Sequence, residues 1–185
     1  MEKDVCVIVD FDGTLIEGDL ERSFMTYLMK FPGIRARMLL VALLTFPINI
    51  IRNKLGYPSL YKSWTLVLNN DIEQYINQYI QEMSQFIRLK GDVWTLLDNS
   101  KAEIVLLSGC YEDLLKAYLK SIDRIQMFDQ VIGCTMQINR FKVKLHPYGR
   151  SKALFVDRNK YNIGIANEKN DRYYLNLCDE QIYVK

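Results

Sequence analysis

The most constraining feature of the chain is a short apolar segment that ends in two aspartates. Val5–Val9 is a continuous apolar run rich in β-branched side chains, which is typical of a strand buried on both faces of a parallel sheet. Asp10 and Asp12 follow at once, and Gly13 allows a sharp turn. Because ligands of open α/β sheets bind outside the carboxyl ends of strands, the pair predicts a reaction site. Like charges this close repel, so the pair needs a cation or a shared proton.

Two later strand-like runs also end in polar residues. Residues 103–107 lead into Ser108, and a helical pattern follows. A hydroxyl beside free N–H groups at a helix N-terminus can bind an anion. The alternative is that Ser108 only caps the helix, since a capping serine gives the same sequence pattern. Residues 161–165 lead to Asn167 and Asp171, for which plain loop positions are the alternative.

These segments resemble the motifs of one enzyme superfamily. Residues 10–14, Asp-Phe-Asp-Gly-Thr, resemble motif I of the haloacid dehalogenase superfamily, Asp-x-Asp-Gly-Thr. Ser108 matches motif II, and residues 167–171 resemble motif IV with Asn167 at its first acidic position. On these motifs the chain is identified as a member of the phosphoserine-phosphatase-like branch, near members similar to phosphatidylglycerophosphate phosphatases.

Motif III of the family requires a lysine, and residues 148–154, Tyr-Gly-Arg-Ser-Lys-Ala-Leu, resemble its surroundings in this branch. The resemblance assigns Lys152 to that position. A cation there would neutralise charge on Asp10 and on phosphoryl oxygens. Arg150 is a competing candidate two residues away, and a surface lysine is the plain alternative.

The resemblance implies an Mg²⁺-dependent phosphatase that acts on a phosphomonoester, either a small soluble phosphate or a lipid phosphate. Asp10 would attack phosphorus and form an aspartyl-phosphate, and Asp12 would act as general acid and base. The phosphoryl oxygens would be held by Ser108 and Lys152. The other candidate substrate-binding residues are Gly13, Thr14, Asp19 and Gly109. The candidate metal ligands are Asp10, Asp12 through its backbone carbonyl, and Asn167 or Asp171.

Two departures leave other functions open. Asn167 supplies an amide oxygen without charge, which weakens Mg²⁺ binding or leaves that role to Asp171. A catalytically weak binding or regulatory protein is therefore one alternative, and a phosphotransferase that uses the same intermediate is another. Asp19 is either a substrate contact or a solvated acid at a helix N-terminus.

Strands that alternate with helices predict an α/β fold with a Rossmann-like, mostly parallel sheet. Residues 1–18 and 91–185 are expected to form the core, and residues 19–90 a small α-helical cap inserted after motif I. Inside the cap, apolar spacing predicts an amphipathic helix over residues 71–88. The remaining predicted elements are helices near 24–29 and 60–68, a strand and hairpin over 130–143, and a last strand at 181–184.

Residues 38–51 form an unusual segment, because they are apolar on all sides. The run is shorter than the roughly 20 residues of a membrane span and contains Pro47. Two interpretations stay open: a helix buried in the cap, or peripheral contact with a membrane surface through this segment. The flanking basic residues are Arg35, Arg37, Arg52 and Lys54.

Composition indicates which partners, compartment and catalytic chemistry to expect. The net charge of +2 gives no support for nucleic-acid binding. Four cysteines without a Cys-x-x-Cys pair are typical of a reducing compartment, and no secretory signal is visible, so we expect a cytoplasmic protein, with or without membrane association. A single histidine, His146, argues against zinc or triad chemistry based on histidine.

Overall fold

Six strands form one sheet in the computed structural model, which describes residues 4–54, 72–137, 142–145, 147–167 and 171–185. The strands are β1 (Val5–Val9), β2 (Glu103–Tyr111), β3 (Gln130–Gln137), β4 (Lys142–Leu145), β5 (Tyr161–Ala166) and β6 (Glu180–Tyr183). Their spatial order is β4-β3-β2-β1-β5-β6. Neighbouring strands are parallel except β3 and β4, which are antiparallel. The Rossmann-like, mostly parallel sheet is therefore confirmed, as are the β3–β4 pair and the last strand.

The helices occupy the connections between the strands. They are α1 (Leu20–Leu28), α2 (Pro32–Lys54), α3 (Ile72–Met83), α4 (Gly91–Asp98), α5 (Glu112–Ser121) and α6 (Arg172–Leu175). Short 3₁₀ helices cover Ser84–Phe86, Ile125–Met127 and Gly149–Phe155. The helix predicted over 71–88 ends earlier, at Met83, and the helix predicted near 60–68 lies outside the described residues.

Alternation along β1 explains why its sequence is apolar throughout. Val7 and Val9 face one hydrophobic cluster, together with helices α4 and α5 and the inserted helices. Cys6 and Ile8 face a second cluster, which contains Tyr174. Since successive side chains of a strand point to opposite faces, a central strand covered on both sides needs apolar residues at every position.

The inserted helices leave and rejoin the core through two paired connections. The N–H of Glu17 donates to the carbonyl of Arg88 at 2.8 Å, and the N–H of Lys90 donates to the carbonyl of Leu15 at 3.0 Å. These bonds lie beside the predicted cap boundaries, and the division at residues 18/19 and 90/91 stays a prediction. On the cap side, Phe24 of α1 packs edge-on against Tyr79 of α3 with 5.3 Å between ring centroids.

Helix α2 is only partly covered by the rest of the protein. One stripe is buried: Ile34, Met38, Val41 and Thr45. The other large apolar side chains of residues 38–51 are exposed, among them Leu43 at 74% and Phe46 at 66%. A helix buried on all sides is therefore not what the structure shows for this segment.

Candidate active site

Asp10 is buried at the carboxyl end of β1, beside the neighbouring strand β5. Its backbone N–H donates to the carbonyl of Ile165 at 3.0 Å, which continues the β1–β5 ladder by one bond. Its Oδ1 accepts a hydrogen bond from Lys152 Nζ at 2.6 Å, and its Oδ2 accepts a longer one from Thr14 Oγ1 at 3.2 Å. The carboxylate is therefore held at both oxygens, and more loosely at Oδ2.

Lys152 lies on the 3₁₀ helix Gly149–Phe155 and is buried. Its ammonium donates to Asp10 Oδ1 and, at 2.5 Å, to Asp171 Oδ1. Burial by itself lowers the pKa of Lys152, but the carboxylates of Asp10 and Asp171 outweigh this effect and the pKa is raised. Lys152 is therefore charged at neutral pH.

Local sequence explains how Lys152 reaches the site. Gly149 has a positive φ of 54°, which turns the chain into the 3₁₀ helix. The N–H of Tyr148 donates to Ser151 Oγ at 2.8 Å and closes that turn. The competing residue Arg150 is exposed, and its guanidinium lies 5.4 Å from the ring centre of Tyr173. Of the two cations, the structure places Lys152 against Asp10.

Asn167 and Gly13 are in close contact. Asn167 follows β5, and its Oδ1 lies 3.4 Å from Thr14 Oγ1. Gly13 has φ 71°, and a Cβ at this position would lie 2.0 Å from Asn167 Nδ2. Only glycine therefore combines the positive φ of this turn with the absence of a Cβ that the contact with Asn167 requires, which gives Gly13 a packing role beside the site.

The side chain of Asp12 contacts the first helix of the insertion. Its Oδ1 accepts a hydrogen bond from the N–H of Leu20, the first residue of α1, at 2.7 Å. The pKa of Asp12 is raised well above its ordinary value, mainly because burial disfavours the charged form and then because of the carboxylates of Asp19, Asp10 and Glu21. Asp12 therefore keeps its proton to higher pH, as a general acid must.

Ser108 lies at the same edge of the sheet as Asp10, but not at a helix N-terminus. Strand β2 continues to Tyr111, and its pairing with β3 shifts register between Leu107 and Tyr111. Ser108 Oγ accepts the N–H of Cys110 at 3.0 Å within this irregularity. Helix α5 begins only at Glu112, so the predicted position of Ser108 at the helix N-terminus is wrong, whereas its role in binding phosphoryl oxygens stays a prediction. Its hydroxyl remains buried beside the site.

The two other predicted substrate contacts have structural functions in this structure. Asp19 is exposed and caps α1, since its Oδ1 accepts the N–H of Arg22 at 2.7 Å. A Cβ on Gly109 would lie 3.2 Å from Cδ2 of Tyr148, so glycine permits this close packing. Their substrate roles stay predictions.

Sequence reasoning missed two features. The bond between Lys152 and Asp171 was not expected, because their spacing of 19 residues carries no signal. Glu21 is a buried carboxylate in the first turn of α1, next to the residue that binds Asp12. Glu21 lies on a helix face that is otherwise apolar, and this pattern could have identified it as a buried carboxylate.

The charges fit a hard divalent cation. Asp10 and Asp171 carry two negative charges and Lys152 one positive charge, so the buried trio has a net charge of −1. Buried charge needs compensation, and Mg²⁺ prefers oxygen ligands. Two oxygens at this site are candidate ligands, Asp10 Oδ2 and Asn167 Oδ1, and both lie within hydrogen-bond distance of Thr14 Oγ1. Among the described residues, no group of three or more His, Cys, Asp or Glu side chains forms a metal cluster, so such an ion would depend on backbone and amide oxygens as well.

The parallel sheet, the buried Asp10–Lys152 pair at the end of its central strand and the helical insertion define an α/β enzyme of the hydrolase class. The chain belongs to the haloacid dehalogenase-like hydrolases, whose family model matches residues 7–170. Comparison with curated proteins gives no significant match. The narrower closeness to phosphatidylglycerophosphate phosphatases stays a prediction.

Solved structures share this fold at low sequence identity. A protein of unknown function from Bordetella pertussis Tohama I is similar with a TM-score of 0.71 at 12% identity, over 98% of this chain and 90% of that one. A predicted phosphatase from Clostridium acetobutylicum gives 0.58 at 14% identity, over 100% and 86%. A phosphoserine phosphatase in its apo form gives 0.56 at 12% identity, over 99% and 86%.

Proposed function

We propose that the protein is an Mg²⁺-dependent phosphomonoester hydrolase that works through an aspartyl-phosphate on Asp10. The observation that carries the proposal is the buried Asp10 carboxylate, bound to Lys152 at 2.6 Å. A carboxylate fixed in this way at the carboxyl end of a central strand is a preorganised nucleophile. Membership of the hydrolase family and the fold shared with phosphatases support the same reaction.

In the first step, Asp10 attacks phosphorus and the bond from phosphorus to the leaving oxygen breaks. Oδ2 is the better placed oxygen for attack, because Oδ1 is held by the ammonium of Lys152. Asp12 gives its proton to the leaving oxygen, which its raised pKa allows. In the second step, Asp12 takes a proton from water, the water attacks phosphorus, and the bond from Asp10 to phosphorus breaks.

The remaining residues bind and orient. Lys152 offsets the charge of the phosphoryl oxygens, and Ser108 offers a hydroxyl from the neighbouring strand. Asp10, the Asp12 carbonyl and Asn167 or Asp171 would hold Mg²⁺. When bound, the ion supplies positive charge that offsets the negative charge of the phosphoryl group.

The substrate is a small soluble or lipid phosphomonoester, and the cap at residues 19–90 selects among leaving groups. The cytosolic 5'-nucleotidase IIIB, solved with cytidine, shares the fold with a TM-score of 0.59 at 12% identity. We also place the protein in the cytoplasm, with or without membrane association, since four cysteines without a Cys-x-x-Cys pair are typical of a reducing compartment. No nucleic-acid partner follows from the charge.

A phosphate-release screen over soluble and lipid phosphomonoesters, with and without Mg²⁺, tests the proposal. We expect release that requires Mg²⁺ in the wild type and none in Asp10→Asn, whose amide cannot act as the nucleophile. The thermal midpoint of Asp10→Asn, measured alongside, must show a folded protein. Release by Asp10→Asn at the wild-type rate would contradict the covalent mechanism.

An added alcohol acceptor separates hydrolysis from phosphotransfer. A hydrolase releases inorganic phosphate at a rate that the acceptor hardly changes, whereas a phosphotransferase gives the phosphorylated acceptor instead. If the wild type binds phosphate but turns over nothing, the binding or regulatory alternative, which Asn167 favours, replaces the hydrolase.

A further inference from the structure

Helix α2 exposes a continuous apolar face to solvent. Its buried stripe follows helical spacing along Ile34, Met38, Val41 and Thr45. At about 100° per residue, the sector opposite this stripe contains only apolar side chains between Leu39 and Ile51. The exposed large apolar side chains of the helix are Leu39, Leu40, Leu43, Leu44, Phe46, Ile48, Ile50 and Ile51. A contiguous apolar patch of this kind marks an interaction site, because water does not stabilise it.

A core helix and a removable leader do not account for this segment. Among the described residues, Pro32–Ile51 is the one stretch long and apolar enough to cross a membrane by length and composition, and 22% of its most apolar window is buried. The core helix of a soluble protein is mostly buried. A leader at this position would take β1 and Asp10 away with it when cleaved, since both precede α2.

The buried stripe favours a helix that lies along a surface over one that crosses a bilayer. Met38 and Ile34 pack in the main hydrophobic cluster of the protein. Thr45 Oγ1 donates to the carbonyl of Val41 at 2.7 Å, and Asn49 Nδ2 donates to Thr45 Oγ1 at 3.0 Å, so polar groups are satisfied on or beside the protein side. With protein on one side and apolar side chains on the other, α2 has the two-sided character of an interfacial helix.

The charge of the sequence around α2 indicates which kind of partner fits its exposed face. Between Glu21 and Asp71 the sequence holds no acidic residue, although the chain has 22 in total. The same stretch holds seven basic residues: Arg22, Lys30, Arg35, Arg37, Arg52, Lys54 and Lys62. An anionic lipid surface attracts such a basic segment, whereas a second copy of this chain would bring like charges together.

We propose that the exposed face of α2 docks on the surface of an anionic lipid bilayer, with its apolar side chains between the acyl chains and its flanking basic residues at the headgroups. The docking is independent of the reaction at Asp10. The variant Asp10→Asn therefore binds vesicles as the wild type does, and the two proposals fail separately.

Vesicle sedimentation with the full chain tests the docking. The wild type is expected to bind vesicles of phosphatidylcholine with phosphatidylglycerol, to bind pure phosphatidylcholine more weakly, and to lose affinity as salt rises. Phe46→Asp replaces one exposed aromatic side chain of the docking face with a carboxylate and is expected to lower the partition coefficient roughly ten- to a hundredfold. Phe86→Asp is the matched control, since Phe86 is 68% exposed and Phe46 66%. Phe86→Asp should bind as the wild type does.

Four outcomes would overturn the proposal. The first two are absence of binding to anionic vesicles at low salt, and equal losses of vesicle affinity for Phe46→Asp and Phe86→Asp. The third is a wild-type dimer in solution that Phe46→Asp dissociates, without any vesicle binding. The fourth is a vesicle-bound protein that only detergent releases, which indicates a spanning helix. Melting curves of both variants guard against unfolding, and Leu43→Asp, at an exposed position of the same face, replaces Phe46→Asp if that variant melts early.

Discussion

The acidic site at the end of β1 and the exposed face of α2 reverse the usual distribution of side chains in opposite ways. Asp10, Asp171 and Lys152 are charged and buried, whereas Leu43 and Phe46 are apolar and exposed. Charged residues are rarely buried unless paired, and a large apolar patch is rarely left in water. The two departures support the two proposals: the buried charges fit an anion with its cation, and the exposed face fits an apolar medium.

The two regions also differ in how the rest of the protein stabilises them. The acidic site depends on specific geometry, because the carboxylates of Asp10 and Asp171 share one ammonium, Lys152, within hydrogen-bond distance. The face of α2 needs no such geometry and depends on the buried stripe on the other side of the same helix. Loss of a buried charge in the first region should therefore lower stability, and a polar substitution in α2 should lower stability only on the buried side of that helix.

The largest expected effect is on the rate. Asp12→Asn should lower kcat roughly 10²–10⁴-fold with a poor leaving group, which is the usual contribution of general acid–base catalysis. An activated leaving group needs no proton and should show a smaller loss in the phosphorylation step. Rates measured with both substrates check this, and an unchanged rate with the poor leaving group would remove the role from Asp12.

Lys152→Ala should lower the free energy of unfolding by about 3–5 kcal/mol and slow phosphate release, since it leaves the carboxylates of Asp10 and Asp171 buried without their cation. Arg150→Ala, the matched control, loses an exposed contact with Tyr173 worth about 0.5–1 kcal/mol. Denaturant unfolding and activity of both variants make the comparison. A larger loss in Arg150→Ala would place motif III two residues earlier.

The two sides of α2 should respond differently to the same change. Met38→Asp puts a carboxylate into the hydrophobic cluster where Met38 is 1% exposed. The free energy of unfolding should fall by about 2–7 kcal/mol, the cost of burying a polar group without partners. Leu43→Asp should change stability by less than about 1 kcal/mol, because surface substitutions rarely cost more. Melting curves of the two variants decide. Equal losses would mean that the α2 face is covered in solution.

The smallest expected effect is on metal affinity. Asn167→Asp adds a negative charge beside Asp10 and Thr14, so the half-saturating Mg²⁺ concentration for activity should fall by roughly tenfold. Without Mg²⁺ the same variant should melt slightly below the wild type, since it adds charge to a site of net negative charge. An Mg²⁺ titration that superimposes on that of the wild type would leave Asp171 as the better ligand.

The sequence predicted the sheet and the motif positions because those signals are local. The apolar run of Val5–Val9 followed by Asp10 identifies a buried strand that ends in a reactive group, and β2 and β5 carry similar runs. The register around Ser108 was not predictable, since a strand irregularity depends on how β2 pairs with β3. The motif favoured Lys152 over its competitor Arg150, but both have the length and charge to reach a site, and only the structure places Lys152 against Asp10.

Consecutive residues were enough to predict the family, the parallel core and the candidate nucleophile, since strand periodicity and short motifs are local properties of the chain. Tertiary structure alone decided that Lys152 bridges Asp10 and Asp171, that Asp12 binds the start of α1, and that α2 has a buried and an exposed side. The physical reason is the same in each case. Partners brought together from distant positions set the dielectric, the charge balance and the solvent exposure of a side chain, and none of these is a property of the residue or its neighbours in sequence.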